Sequence, residues 1–170
     1  LQGGNMTAPQ GQIELGSLGP NSVVRLISLP AGFEFDYGGV NSFQDIQLLQ
    51  AASADVSGAG GGSIHLQGRN VFIRDGSTLL NDTLGTIGGG NLTIQADFLE
   101  VSGVSPIAPF VSSIYADAGS TATGLGGDIE LAVQTLQISE GGQIAANTFG
   151  TANGGRLNIQ AENIALSGGS

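Results

Sequence analysis

The sequence contains no cysteine, no tryptophan and no lysine, and its basic groups are four arginines set against 14 acidic residues, for a net charge of −10. Without thiols there can be no disulfide, no zinc–thiolate site and no cysteine nucleophile; the lack is compatible with an oxidising exterior. With so few cations no basic stripe can form, so nucleic acid and anionic membrane are not expected as partners. No apolar run reaches the ~18 residues of a spanning helix, so membrane insertion is not expected, and the opening residues do not read as a signal peptide. Aromatic residues are scarce as well, seven Phe and two Tyr. What abounds is glycine, with 30 residues against five prolines. A disordered glycine-rich chain is poor in branched aliphatics, whereas here Ile, Leu and Val recur at fixed intervals and glycine sits at the turns. A folded chain is therefore expected.

The interval is set by a stretch beginning Gly61-Gly62-Ser63-Ile64, which returns at Gly89-Gly90-Asn91-Leu92, Gly126-Gly127-Asp128-Ile129 and Gly154-Gly155-Arg156-Leu157. The second glycines are spaced by 28, 37 and 28 residues. Within each copy, alternation marks a first strand (Ile64/Leu66, Leu92/Ile94, Ile129/Leu131, Leu157/Ile159). A second follows (Val71/Ile73, Leu99/Val101, Leu136/Ile138, Ile164/Leu166). A third, weaker strand carries Leu79, Ile114 and Ile144. One copy alone cannot bury its apolar side. Stacked copies can, each residue lying over its equivalent at the ~4.8 Å spacing of adjacent strands. The expected fold is all-β, a right-handed parallel β-helix with about 28 residues per rung.

The chain reads as one segment, 1–170, opening and closing in mid-pattern as expected of a piece of something longer. An irregular first rung covers 1–27, where Gly11-Gln12-Ile13-Glu14-Leu15 repeats the first strand and Val23, Val24 and Ile27 are expected to supply the second. Residues 28–45 break the rhythm as an aromatic excursion holding Phe33, Phe35, Tyr37 and Phe43. Regular rungs are expected over 46–170, and the nine-residue surplus of the long step is placed in a loop near 103–111, whose two prolines argue against a ladder strand.

Several stretches resemble the large filamentous-haemagglutinin-type exoproteins of two-partner secretion, especially the cyanobacterial ones. They are Asn5-Met6-Thr7-Ala8-Pro9, Gly11-Gln12-Ile13-Glu14-Leu15-Gly16-Ser17, Phe43-Gln44-Asp45-Ile46, Asp55-Val56-Ser57-Gly58, Ser63 to Arg69, and Asn147-Thr148-Phe149-Gly150 with Asn153-Gly154-Gly155. The resemblance implies a right-handed parallel β-helix, export through a dedicated outer-membrane transporter and residence at the bacterial cell surface. The implied role is that of an adhesive or structural shaft meeting a glycan or protein of another cell. The family's transport domain carries short Asn-Pro motifs, and this sequence has no Asn-Pro. The chain is accordingly expected downstream of that domain, in the shaft.

No catalytic constellation stands out, and no enzyme is expected. The lone histidine, His65, falls on the outward phase with Thr93, Glu130 and Asn158 as its equivalents, and reads as a solvated side chain. A carbohydrate-active or carbohydrate-binding β-helix is the rival class, but Asp75, Asp97, Asp128, Glu130, Glu140 and Glu162 are scattered within their rungs instead of clustered. Arg69 beside Asp97 and Asp128 beside Arg156 read as cross-rung ion pairs, and Gln67, Gln95 and Gln160 as a partial amide ladder broken at Ala132. No cofactor is expected; structural calcium is left open but not favoured, because Asn91, Ser63 and Arg156 stand where Asp128 follows its glycine pair. Thr83, Thr86, Thr148 and Thr151 are too few for an ice-binding array. Phe33, Phe35, Tyr37 and Phe43 remain as candidate ligand or partner contacts. The competing reading folds that excursion back to cover one side or end of the stack.

Overall fold

The computed structural model describes residues 1–29, 32–107 and 109–168. Over these the protein is all-β, with no helix. In chain order the strands are β1 (Asn5–Thr7), β2 (Gln12–Gly16), β3 (Arg25–Leu29), β4 (Gly32–Asp36), β5 (Ile46–Leu48), β6 (Ser53–Asp55) and β7 (Ser63–Gln67). They continue with β8 (Asn70–Arg74), β9 (Thr78–Leu80), β10 (Asn91–Ser102), β11 (Ser113–Tyr115), β12 (Asp128–Ser139), β13 (Gln143–Ala145) and β14 (Leu157–Leu166). A seven-stranded parallel sheet runs β14-β12-β10-β7-β2, with β8 and β5 continuing it alongside, and a five-stranded parallel sheet runs β1-β6-β9-β11-β13. Among the described strands, only β3 and β4 pair antiparallel.

The pairing register reproduces the expected columns. Ile13, Ile64, Leu92, Ile129 and Leu157 are successive partners, as are Leu15, Leu66, Ile94, Leu131 and Ile159. The second strand gives Ile46, Val71, Leu99, Leu136 and Ile164. The other sheet gives Met6, Ala54, Leu79, Ile114 and Ile144. Inward residues of both sheets form one hydrophobic core, in which Ile64, Leu66, Ile73, Leu79, Leu92, Ile94, Leu99, Ile114 and Ile129 are buried. Each such side chain contributes ~1.5–3 kcal/mol of transfer free energy, opposed by the entropy of ordering the chain. β14 pairs on one side only, and its Leu157, Ile164 and Leu166 are exposed.

The recurring glycine follows from how closely the copies approach. A Cβ on Gly62, Gly90, Gly127 or Gly155 would overlap the backbone of the preceding copy, at the carbonyl oxygens of Gly11, Gly62, Gly90 and Gly127 respectively. The turn after the second strand has a different requirement. Gln50-Ala51, Asp75-Gly76 and Glu140-Gly141 each place two successive residues at positive φ, with Ala51 at 58° where its equivalents are glycines at 75° and 82°.

Four expectations about the path need correction. The expected first and second strands merge into one in β10, β12 and β14, with a bend at Asp97, Gln134 and Glu162, residues that the ladder skips. Next, residues 23–27 do not supply the second strand of the first copy; β5 does, pairing with β8. Residues 25–29 belong instead to the β3–β4 hairpin, so the excursion spans 18–43, not 28–45, and the Leu18–Phe43 bridge closes its base. It leaves the stack at the bend of the first copy. Pro30 and Ala31, expected within it, lie outside the described residues. Finally, the nine-residue surplus is divided. Ser102 to Ser113 takes 11 residues where the preceding copy needs 4 from Arg74 to Thr78, which leaves two extra residues between Ala118 and Gly127. The larger insertion is a small antiparallel loop, with a Val104–Val111 bridge and Ser105 N–H donating to the Phe110 carbonyl at 2.7 Å.

Candidate functional site

Because the excursion departs from the bend, its return strand crosses the outer side of β2. The four candidate aromatics form a continuous contact series, with ring centroids 5.7 Å apart for Phe33–Phe35, 6.3 Å for Phe35–Tyr37 and 5.9 Å for Tyr37–Phe43. Phe33 is the exposed member, while Phe35, Tyr37 and Phe43 are half-buried. The hairpin therefore folds back on the stack, and Phe35 stands over a hollow of about 440 Å³ lined by Leu1, Met6, Leu15, Ile46 and Leu48 at the β2 and β5 edge.

Tyr37 is the anchor. Its hydroxyl donates to Glu14 Oε1 at 3.1 Å, and Gly16, where any Cβ would collide with the Tyr37 ring, makes room for it. Expected in solvent, His65 instead sits edge-on to Tyr37, 6.1 Å between centroids, with Nδ1 2.7 Å from Glu14 Oε1. Its Nε2 is buried without a hydrogen-bond partner. The Glu14 side chain is 3 % exposed, and beneath the hairpin Tyr37 and Gln12 Nε2, the latter at 3.4 Å from Oε2, donate to it while His65 lies alongside. Burial, reinforced by the charge and hydrogen bond of Glu14, pushes the Tyr37 phenol well above its ordinary value. Glu14, not solvent, is what His65 faces. The signal was present, because Gly11-Gln12-Ile13-Glu14-Leu15 aligns Glu14 directly with His65.

The bend creates a second feature, a groove of about 840 Å³ running along the seven-stranded sheet. Four successive copies line it through residues 67–69, 96–97, 132–134 and 160–162, and residues 41–44 bound it at the excursion. Of the four candidate aromatics, Phe43 alone lines it. The expected Arg69–Asp97 ion pair is absent. Arg69 turns to Asp45, with Nη2 and Nε both 3.0 Å from Oδ1, while Asp97 accepts a hydrogen bond from Gln134 Nε2 at 3.2 Å. Nor is Asp128 ion-paired with Arg156; its Oδ1 accepts the Arg156 backbone N–H at 2.7 Å. Gln67, Gln95, Ala132 and Gln160 do stack in register, but no amide-to-amide bond joins them among the described residues.

Two further side-chain sets bind copy to copy. Arg74 makes a two-pronged contact with Glu100, Nε–Oε1 2.8 Å and Nη2–Oε2 2.5 Å, with its guanidinium 4.2 Å over the Phe72 ring. The hydrogen bond from Arg74 holds the Glu100 carboxyl below its ordinary range. At the corner after the third strand, each side chain accepts the next copy's backbone N–H. Ser57 Oγ accepts from Asp82, Asp82 Oδ1 from Asp117 and Asp117 Oδ1 from Asn147, at 2.9, 3.0 and 2.7 Å. Burial pushes the Asp82 carboxyl above its ordinary value. Among the described residues no three His, Asp or Glu groups are placed to hold a metal ion.

No protein-family model, no curated protein and no solved structure matches the chain.

Proposed function

We propose that this chain is a segment of a right-handed parallel β-helix that serves as the shaft of a filamentous-haemagglutinin-type exoprotein. In this reading the parent protein crosses the outer membrane through its own transporter and stays at the bacterial cell surface. There the shaft holds distal parts away from the cell and meets glycans or proteins on its flanks. The observation that supports it is the unbroken register of five copies, each inward residue over its equivalent. Such a ladder transmits rigidity along one axis while repeating the same outward surface. We assign it no catalytic step and no cofactor.

The reading is tested by locating the parent protein on the cells that make it. Brief protease treatment of intact cells is expected to remove the epitope of an antibody raised against this chain, and disruption of the transporter to trap it inside. An epitope protected in intact cells and unaffected by loss of the transporter would overturn the assignment.

A further inference from the structure

The groove at the bend has the dimensions and chemistry of a site for an extended polymer. Its walls repeat at the strand spacing, about 4.8 Å, close to the length of one pyranose unit in a fully extended chain, and its four copies span about 14 Å. Along it stand the amides Gln67 and Gln160 in one column and Asp97, Gln134 and Glu162 in the adjoining one. Amides and carboxylates together offer the donors and acceptors that bind sugar hydroxyls. Gly68, Ala96, Val133 and Ala161 line its base, and the outward Ala132, in register with Gln67 and Gln160, leaves a gap in the amide wall. At one end the half-buried Phe43 lines it, an apolar ring of the kind that packs against sugars.

Charge narrows the class of ligand. Arg69, the one basic group lining the groove, is paired with Asp45 and outnumbered there by Asp97 and Glu162, and the chain as a whole carries −10, which disfavours an anionic polymer. An α-1,4-linked glucan coils and does not keep step with a straight ladder. We infer that the groove binds a neutral, extended, β-1,4-linked glycan lying parallel to the stack, one sugar unit per copy. This rests on the adhesive reading above, whose protease test involves no glycan, so either can fail without the other.

The test is titration calorimetry of the intact chain with cello-oligosaccharides of two to six units, xylohexaose, maltohexaose and a lysine-rich peptide. Affinity is expected to rise from two to four units and then level off, with maltohexaose and the peptide silent. Ala132→Trp, at an exposed position lining the groove, obstructs it and is expected to abolish binding. Gln134→Ala combined with Gln160→Ala removes two exposed amides and is expected to weaken binding about tenfold, with an unchanged circular dichroism spectrum. No binding of the β-linked chains, equal binding of maltohexaose, binding of the peptide in their place, or β-glycan affinity untouched by the double variant would each overturn the proposal.

Discussion

Gly88 and Gly90 are two residues apart, yet alanine should act on them in opposite ways. A Cβ on Gly88 meets nothing within 4 Å, whereas one on Gly90 would overlap the Gly62 carbonyl and crowd Ser63 Oγ. Neither glycine has positive φ, so the difference is one of approach and not of backbone conformation. Relief at Gly90 requires two strands to part at a point where the Gly90 carbonyl also accepts the Asn81 amide at 3.0 Å. Overpacking of this kind costs ~1–3 kcal/mol. Straining one neighbouring hydrogen bond adds ~0.5–1.5 kcal/mol, so Gly90→Ala should lose about 2–4 kcal/mol. At ~2–4 °C per kcal/mol for a chain of this length, its melting temperature should fall by about 4–16 °C. Gly88→Ala should be neutral or gain up to ~1 kcal/mol by restricting the unfolded chain. Thermal and urea melts of the two variants, followed by far-ultraviolet circular dichroism, measure the difference. Coincident melts would refute the claim that close stacking selects the glycine column.

Other expectations follow from the same geometry. Ile129→Asp places a carboxylate in the core and should prevent cooperative folding, while Glu130→Ala, one residue away and exposed, should shift the melt by less than ~0.5 kcal/mol; similar melts would overturn the inward and outward assignment. Ala51→Gly relieves a left-handed alanine where the equivalent turns use glycine, and a gain of ~0.5–1 kcal/mol in urea unfolding is expected. Asp82 has a folded pKa above its unfolded value, so its favourable contribution is complete below the unfolded pKa and lost as pH rises through the folded one. Asp82→Asn keeps the oxygen that accepts the Asp117 N–H. It should therefore raise the urea midpoint at pH 7 and leave it nearly unchanged below the unfolded pKa; an equal effect at both would exclude the burial of charge as the cause.

Legibility in the sequence followed the ladder. The columns through Ile64, Val71 and Leu79 were readable because a parallel pairing repeats the same neighbour relation in every copy, so period alone places each residue. The glycine pairs were readable for the same reason. Glu14 was half-legible: its alignment with His65 lay in the pattern, but the tyrosine that buries both arrives from an insertion with no period. The Ser57, Asp82, Asp117 and Asn147 series was legible in principle, three residues beyond Ala54, Leu79, Ile114 and Ile144, yet polar residues of differing type do not announce a column.

The sequence by itself therefore determined the repeat, the inward and outward faces and the all-β character, since these depend on local alternation and on backbone pairing that is the same from copy to copy. The tertiary structure alone decided where the excursion leaves the stack, which acid takes Arg69, how the surplus of the long step is divided, and that the bend opens a groove. Those depend on where long side chains and inserted loops reach across copies, and no short-range pattern encodes a reach of that kind.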